Sequence, residues 1–317
     1  MSNETEAYKE KISAMIAEIE KTVVGKRPQI KLLLTAVLSG GHVLIEDVPG
    51  TGKTTLASAV AAVCGLSFKR AQFTPDLMAS DITGFNIYNR QKETFSFTEG
   101  LVMCNILLAD EINRASPKTQ SALLEAMEEG KVTVDGVSYT LPDPFTVIAT
   151  QNPVGFVGTY PLPEAQLDRF SVRLTLGYPS AAEETRILAD RHGVNPLLSV
   201  GRVTTAEELL TMKKIISEIT TDEKIYSYIV DLTSQTRKSD KLALGASPRA
   251  SLIIMKMAQA AAFIEGRDYV IPEDVAYVFV PVTAHRVVLR REARSSGATA
   301  ESVLYDILKN TIVPFKK

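Results

Sequence analysis

A glycine-rich loop near residue 50 has the residue types needed to hold a triphosphate. It reads Asp47-Val-Pro-Gly-Thr-Gly-Lys-Thr54. Gly50 and Gly52 carry no side chains, so backbone N–H groups can turn inward around phosphate oxygens, and the positive end of the following helix adds to their attraction. Lys53 is expected to contact the β- and γ-phosphates, and the Thr54 hydroxyl to ligate Mg²⁺. The loop therefore predicts ATP and Mg²⁺ as cofactors.

One position of this loop departs from the general phosphate-loop pattern, which has glycine where this chain has Asp47. A glycine-rich turn before a buried helix is the structural alternative, but a Gly-Lys-Thr triplet between a strand and a helix rarely arises that way. The predicted phosphate-binding residues are Pro49, Gly50, Thr51, Gly52, Lys53, Thr54 and Thr55.

Two adjacent carboxylates follow an apolar run further along the chain. Residues 105–109 predict a buried strand, which ends in Asp110 and Glu111. Two charges at the end of a buried strand need partners, because an unpaired buried charge is costly. Beside a phosphate loop, Asp110 can hold Mg²⁺ through water, and Glu111 can orient and activate the attacking water. The pair predicts hydrolysis; taken alone, it could also be an ordinary solvated acidic turn.

The surrounding pattern predicts the elements that position these groups. A short apolar run at 42–46 precedes the loop, and a helix-forming stretch follows it. Further short apolar runs alternate with helical stretches, which is typical of an α/β fold with a parallel sheet. Two segments, about 85–97 and 131–140, interrupt this order with alternating apolar and polar residues. The second contains Asp135-Gly136, a strong hairpin signal, so both segments are predicted hairpin insertions.

The length of 317 residues predicts two domains, because single hydrophobic cores rarely grow beyond about 250 residues. Apolar residues at helical spacing predict a helix over 1–20 that packs on the core. Residues 21–178 are expected to form the nucleotide-binding core. The pattern then becomes mainly helical, so residues 179–317 are expected to form a helical lid domain.

Composition favours a soluble, cytoplasmic protein. The net charge is −2, with 45% hydrophobic and 23% charged residues, which gives no global attraction to nucleic acid or anionic membranes. No secretory signal or membrane span is predicted. Cys64 and Cys104 are expected to be buried thiols, and the scattered His42, His192 and His285 to form no transition-metal site.

The motifs together resemble a known family. The loop, the acidic pair, Ala149-Thr-Gln-Asn-Pro153 and Leu167-Asp-Arg-Phe170 look like AAA+ ATPases. Glu46-Asp-Val-Pro-Gly50, Gln72-Phe-Thr-Pro-Asp76, Asp81-Ile-Thr-Gly84, Asp110-Glu-Ile-Asn-Arg114 and Gly245-Ala-Ser-Pro-Arg249 more narrowly resemble the MoxR family, which commonly has a non-glycine residue at the Asp47 position. The resemblance implies an α/β P-loop NTPase core of the AAA+ type, with three αβα layers and a parallel five-stranded sheet. It also implies an all-α C-terminal lid.

The resemblance also implies roles for residues outside the loop. Asn152 matches the polar sensor that contacts the γ-phosphate or the water. Arg169 matches the arginine finger that reaches the nucleotide of a neighbouring subunit, although a surface ion pair is its structural alternative. Arg249 matches the second sensor, which contacts nucleotide when the lid closes. Val24 and Gly25 resemble the segment that lies along the adenine.

By resemblance, the active species is a ring, expected to be a hexamer, that remodels or matures partner protein complexes. The implied partners are a von Willebrand factor A domain protein and a protein client. The alternatives are a nucleic-acid-dependent motor, a chelatase-type motor subunit, a non-hydrolytic nucleotide-gated module and a phosphotransferase. A basic cluster, Arg286 to Arg294, favours a solvated helix face or an acidic protein partner over nucleic acid.

Overall fold

The computed structural model describes residues 3–91, 93–152, 159–190 and 196–315; Pro153 and His192 lie outside these ranges. The helices are α1 (Asn3–Glu20), α2 (Arg27–Leu38), α3 (Lys53–Cys64), α4 (Ala79–Thr83), α5 (Pro117–Glu129), α6 (Glu164–Leu167), α7 (Ala181–Asp190), α8 (Ala206–Ser217), α9 (Glu223–Lys238), α10 (Pro248–Ile264), α11 (Pro272–Thr283), α12 (Arg291–Ser295) and α13 (Ala300–Asn310). The strands are β1 (Val43–Glu46), β2 (Phe68–Gln72), β3 (Gly84–Asn89), β4 (Thr94–Glu99), β5 (Ile106–Asp110), β6 (Lys131–Val134), β7 (Val137–Thr140), β8 (Thr146–Gln151), β9 (Val172–Leu174), β10 (Leu242–Leu244) and β11 (Val288–Leu289).

The centre of the molecule is a parallel five-stranded sheet in the order β2-β5-β8-β1-β9. Each strand coincides with one of the short apolar runs in the sequence. The order places the carboxyl ends of β5 and β8 on the same edge as the end of β1, where the glycine-rich loop begins. The predicted fold class is confirmed.

Alternate residues of the sheet enter two different hydrophobic clusters, because successive side chains of a strand point to opposite faces. On β1, Val43 and Ile45 join the cluster that contains α1, α2 and α3, whereas Leu44 joins the cluster that contains α5. Helices therefore cover both faces of the sheet, as three layers require.

The first cluster continues into the C-terminal helices, so no break between hydrophobic cores marks residue 178. Residues of α8, α9, α10 and α11 belong to it together with the buried side of α1. Cys64 lies in the same cluster and Cys104 in the second, and both thiols are free and buried, as predicted. The division of the chain near residue 178 stays a prediction.

The two predicted hairpins are present and contact each other. β3 pairs with β4, and β6 pairs with β7, both antiparallel. The rings of Phe97 and Tyr139 stack with their centroids 3.8 Å apart, and Asn86 Nδ2 donates to Asp135 Oδ2 at 2.8 Å. The two insertions thus form one unit, and Val132 of β6 belongs to the second hydrophobic cluster.

The C-terminal region is helical apart from the short antiparallel pair β10–β11. One expectation for this region is wrong. Arg286 does not lie on a solvated face: its side chain is 1% exposed and pairs with Asp168 of the core. The neighbouring Arg290 and Arg291 are exposed, so only part of the basic cluster faces solvent. In the described part of the chain, no helix combines the length and apolar character that crossing a bilayer requires.

Candidate functional site

The glycine-rich loop joins the end of β1 to the start of α3. Gly50 and Gly52 have φ values of +87° and +89°, a left-handed conformation that favours glycine. A Cβ atom at either position would meet nothing within 4 Å, so both glycines are required by backbone conformation and not by crowding. Gly52 caps α3, and Lys53 is the first helical residue. The free N–H groups of the helix start therefore face the loop, as anion binding requires.

Four separate chain segments line one cavity of about 440 Å³ at this loop. It brings together Lys53 and Thr54 with Asp110, Glu111 and Asn152. The full lining is Pro49, Gly50, Gly52, Lys53, Thr54, Thr55, Arg70, Gln72, Asp110, Glu111, Thr150 and Asn152. Of the predicted loop residues, only Thr51 is outside this lining; its hydroxyl donates to the Val48 carbonyl at 3.3 Å.

A single threonine organises the two carboxylates. Thr150 lies on β8, next to β5 in the sheet, and its Oγ1 donates to Asp110 Oδ1 at 2.6 Å. The same oxygen accepts from the backbone N–H of Glu111 at 2.8 Å. Arg70, on the other side of β5, donates to Asp110 Oδ2 at 2.7 Å. Asp110 is therefore held from both neighbouring strands, which supplies the partners that a carboxylate at a strand end needs.

The Glu111 side chain is held by two further groups. Its Oε2 accepts from Gln72 Nε2 at 2.9 Å and from Arg114 Nη1 at 3.0 Å. Glu111 has a φ of +56°, which is uncommon for a residue with a side chain and costs on the order of 1 kcal/mol or more. Such backbone strain is concentrated at functional sites, where the surrounding structure maintains it.

Asp47, the residue that replaces the first glycine of the loop pattern, has a structural role of its own. It is buried, and its Oδ1 accepts from the Val48 N–H at 2.8 Å. Its Oδ2 accepts from the N–H groups of Leu176 and Gly177, both at 2.7 Å. This carboxylate therefore ties the start of the phosphate loop to the segment that leads from β9 to the lid.

Lys53 reaches back along the loop. Its Nζ donates to the carbonyl oxygens of Asp47 at 2.9 Å and of Val48 at 3.2 Å. The ammonium group thus lies inside the curve of the loop, where phosphate oxygens would be equally good acceptors.

The predicted arginine finger and second sensor lie together, away from the phosphate cavity. Arg169 Nε and Arg249 Nη1 each lie 3.2 Å from a different oxygen of Glu128, at the end of α5. These three residues line a separate cavity of about 350 Å³, which also contains Lys256. The structure therefore separates Arg169 and Arg249 from the residues of the phosphate cavity.

Val24 and Gly25, predicted to lie along the adenine, line neither cavity. Val24 is buried, and Gly25 has a φ of +73° with the Glu183 side chain against its Cα. Lys26 Nζ donates to the Tyr178 carbonyl at 3.0 Å. The segment thus lies where the core meets the lid, and its contact with adenine stays a prediction.

Comparison with known proteins gives the family. Residues 42–172 match the model of the ATPase family associated with various cellular activities (AAA), and residues 234–307 match an AAA lid domain. Chaperone MoxR1 of Mycobacterium tuberculosis is 42% identical, over 94% of this chain and 81% of its own. Protein MoxR of Methylorubrum extorquens is 32% identical, over 86% of each chain. The chain belongs to the MoxR family of AAA+ ATPases.

Two further proteins are similar to this chain over nearly its whole length. The uncharacterized protein YeaC of Bacillus subtilis is 47% identical over 98% of both chains. A crystal structure of a Cytophaga hutchinsonii protein described as an ATPase superposes with a TM-score of 0.89 at 38% identity, covering 98% of this chain and 96% of the other. The protein is therefore an ATPase with the AAA+ core and lid, as the MoxR motifs predicted.

Several residues of this MoxR-type site were not identified from the sequence. Arg70 and Gln72 belong to β2, whose register places Gln72 opposite Asp110. Polar residues at the end of an otherwise apolar strand are the signal that could have identified them. Thr150 and Glu128 gave no such signal, because their roles depend on contacts with residues distant along the chain: Asp110 for Thr150, and Arg169 and Arg249 for Glu128.

Proposed function

We propose that this MoxR family member hydrolyses ATP with Mg²⁺ and couples each turnover to remodelling of a partner protein. The observation that carries this proposal is the meeting of Lys53, Thr54, Asp110, Glu111 and Asn152 on one cavity. A cation at the helix start binds the phosphates, and a carboxylate pair opposite it supplies what hydrolysis needs beyond binding.

Within one subunit the reaction is attack of water on the γ-phosphorus. Glu111 orients this water and accepts its proton, while the bond from the γ-phosphorus to the β–γ bridging oxygen breaks, giving ADP and phosphate. Lys53 balances the charge on the β- and γ-phosphates. Asn152 is placed at the same cavity to hydrogen-bond the γ-phosphate or the water.

The residues present fit a magnesium ion. Thr54 and Asp110 line the same cavity and supply the hydroxyl and carboxylate oxygens that Mg²⁺ prefers. Thr150 orients one Asp110 oxygen, and Arg70 would yield the other as the charge at the site changes. When bound, the ion neutralises charge that develops on the phosphates.

The positions of Arg169 and Arg249 support assembly of the protein into a ring of subunits. An arginine that stabilises the γ-phosphate of its own subunit must reach its own phosphate cavity, but Arg169 and Arg249 line a different one. Both arginines would therefore act on the nucleotide of the neighbouring subunit. This arrangement needs a neighbouring subunit in a head-to-tail contact, and the family resemblance favours closure of such contacts into a hexameric ring.

A protein client is supported by the relative named Chaperone MoxR1 and by the hairpin unit. Tyr88 and Phe95, an aromatic pair on β3 and β4, are 50% and 71% exposed. Exposed aromatic side chains are typical of surfaces that contact other proteins. A von Willebrand factor A domain protein is the partner class that the family resemblance suggests.

The Glu111→Gln variant tests the chemistry. It keeps the size of the side chain but removes the proton acceptor, so ATP turnover is expected to fall at least about 100-fold. Nucleotide affinity, measured with a fluorescent ATP analogue, is expected to remain close to that of the parent. Glu125→Gln, which neutralises an exposed carboxylate on α5, is the matched control and should keep full turnover. Full turnover by Glu111→Gln contradicts the proposal.

A further inference from the structure

Arg286 is a buried charged residue without a role in the chemistry described above. It follows α11, and its side chain is 1% exposed. Burial lowers the pKa of its guanidinium to about 10, so the group still carries its charge at neutral pH. A buried charge adds little net stability even when paired. The role of Arg286 therefore has to be inferred from where its partners lie, and not from the stability that the ion pair adds.

Arg286 contacts the chain on either side of Arg169, as well as the Val282 carbonyl and the His285 ring of its own segment. Its Nε donates to Asp168 Oδ1 at 2.7 Å, and its Nη2 donates to the Asp168 carbonyl at 2.9 Å. Nη2 also donates to the Phe170 carbonyl, and Nη1 lies 3.4 Å from the Ser171 carbonyl. One guanidinium thus fixes the backbone of the whole turn that carries Arg169.

Asp168 connects this turn to the start of α10. The Ser247 hydroxyl lies 3.3 Å and 3.5 Å from the two Asp168 carboxylate oxygens. Ser247 is the N-cap residue of α10, two positions before Arg249. The anchors of Arg169 and Arg249 are therefore joined through one carboxylate, and their side chains meet again on Glu128.

We propose that Arg286, acting through Asp168, is a positioning residue for Arg169 and Arg249. Arg286 fixes the turn that carries Arg169, and Asp168 links this turn to the start of α10. Arg169 and Arg249 are thereby held together, already positioned for the nucleotide of the neighbouring subunit. This inference rests on the proposed function, because it assumes that the two arginines act on a neighbour's nucleotide.

Arg286→Lys tests the inference, because lysine keeps the charge but cannot hold the carboxylate and the carbonyls at once. The ATP turnover number is expected to fall about 10- to 100-fold, since a misplacement of about 1 Å can cost about 100-fold. Nucleotide affinity should stay close to that of the parent, because the phosphate cavity is unchanged. Arg291→Lys, the same substitution on an exposed arginine, is the matched control and should leave turnover unchanged.

Mixed rings separate positioning from general damage to the fold. A Lys53→Ala subunit cannot bind ATP productively, but its Arg169 and Arg249 are intact and correctly positioned. Added in excess to Arg286→Lys subunits, it should restore turnover, as it should for Arg169→Ala subunits. Asp168→Asn, which keeps the shape of the side chain, should behave in the same way and provides a second variant if Arg286→Lys does not fold.

Three outcomes overturn the inference. If Arg169→Ala is rescued but a folded Arg286→Lys or Asp168→Asn is not, the action of arginines on a neighbour stands and the positioning role is wrong. The same conclusion follows if these two variants turn over ATP like the parent. If not even Arg169→Ala is rescued, the proposed ring arrangement itself is wrong, and the inference falls with it.

Discussion

At the scale of single residues, the Glu128 side chain forms ion pairs with both Arg169 and Arg249. Each of its oxygens lies 3.2 Å from one guanidinium. The Glu128 side chain is 38% exposed, and each contact of this kind is worth at most about 1 kcal/mol. A phosphate group carries more charge and binds arginine more strongly. If the two arginines act as proposed, Glu128 would therefore compete only weakly with the nucleotide for them.

The Glu128→Gln variant is accordingly expected to be more active. Removing the carboxylate charge frees Arg169 and Arg249, so the ATP turnover number should rise by up to about five-fold, the factor that corresponds to about 1 kcal/mol. The rate should be measured at saturating ATP and at several protein concentrations, which separates turnover from assembly. Glu129→Gln, its exposed neighbour on α5, serves as the control. A turnover number below that of the parent would show that Glu128 positions the arginines instead of competing for them.

At the scale of elements, His42 joins three parts of the core around β1. Its Nδ1 accepts from the Val147 N–H of β8 at 3.0 Å, and its Nε2 donates to the Met127 carbonyl of α5 at 3.0 Å. These two bonds require the neutral ring. Burial lowers the pKa of His42 to about 4 from its ordinary value of 6.5. Burial also lowers the pKa of His285.

The lowered pKa predicts loss of stability in mild acid. Between pH 6.5 and about 4, the unfolded chain protonates His42 while the folded chain does not, so stability falls as the pH falls through this window. Between pH 7 and pH 5 the loss for one such histidine is about 2 kcal/mol. Urea unfolding at both pH values should show this loss reduced by about 2 kcal/mol in His42→Gln. An equal loss in both proteins would mean that the folded chain protonates His42 as readily as the unfolded chain does, so that its pKa is not lowered.

The phosphate loop shows how one element depends on another. Its two positive-φ glycines and the start of α3 are local features, but Asp47 fastens it to Leu176 and Gly177 beyond β9. At the same sheet edge, Glu46 accepts from Gln151 and from Arg173, which also pairs with Glu301 of α13. Two neighbouring carboxylates thus connect the nucleotide site to the segment before the lid and to a lid helix.

At the scale of the whole molecule, charge argues against a nucleic-acid motor. The net charge is −2, and Arg286, part of the densest basic cluster, is buried against Asp168. Nucleic-acid binding that does not depend on base sequence needs several lysines or arginines free to contact phosphates.

We therefore expect DNA and RNA to leave the ATPase rate unchanged within about two-fold, even at about 50 mM salt. Fluorescence anisotropy with labelled single- and double-stranded oligonucleotides should show no salt-dependent binding, and ATPase assays with the same oligonucleotides provide the second measurement. Binding that weakens as salt rises, together with a stimulated ATPase rate, would favour the nucleic-acid motor instead.

Much of this MoxR-type protein could be predicted from its sequence, because the relevant signals are local. The phosphate loop and the pair Asp110-Glu111 depend on residue type over a few adjacent positions. Strand and helix positions follow from apolar periodicity, and the turn at Asp135-Gly136 follows from the left-handed backbone that these residues accept. The family motifs are contiguous in the same way. These features predict the fold class and, within the site, the phosphate loop and the pair Asp110-Glu111.

The contacts that hold these site residues in place depend on the tertiary structure alone. Only the folded chain places Thr150 between the two carboxylates, brings Glu128 to both Arg169 and Arg249, and buries Arg286 against a turn more than 100 positions earlier. The physical reason is that a side chain's environment depends on which segments pack against it, and periodicity reports only the secondary structure of each segment. An arginine in the sequence is equally compatible with solvent and with a buried ion pair, so the sequence alone does not predict the burial of Arg286.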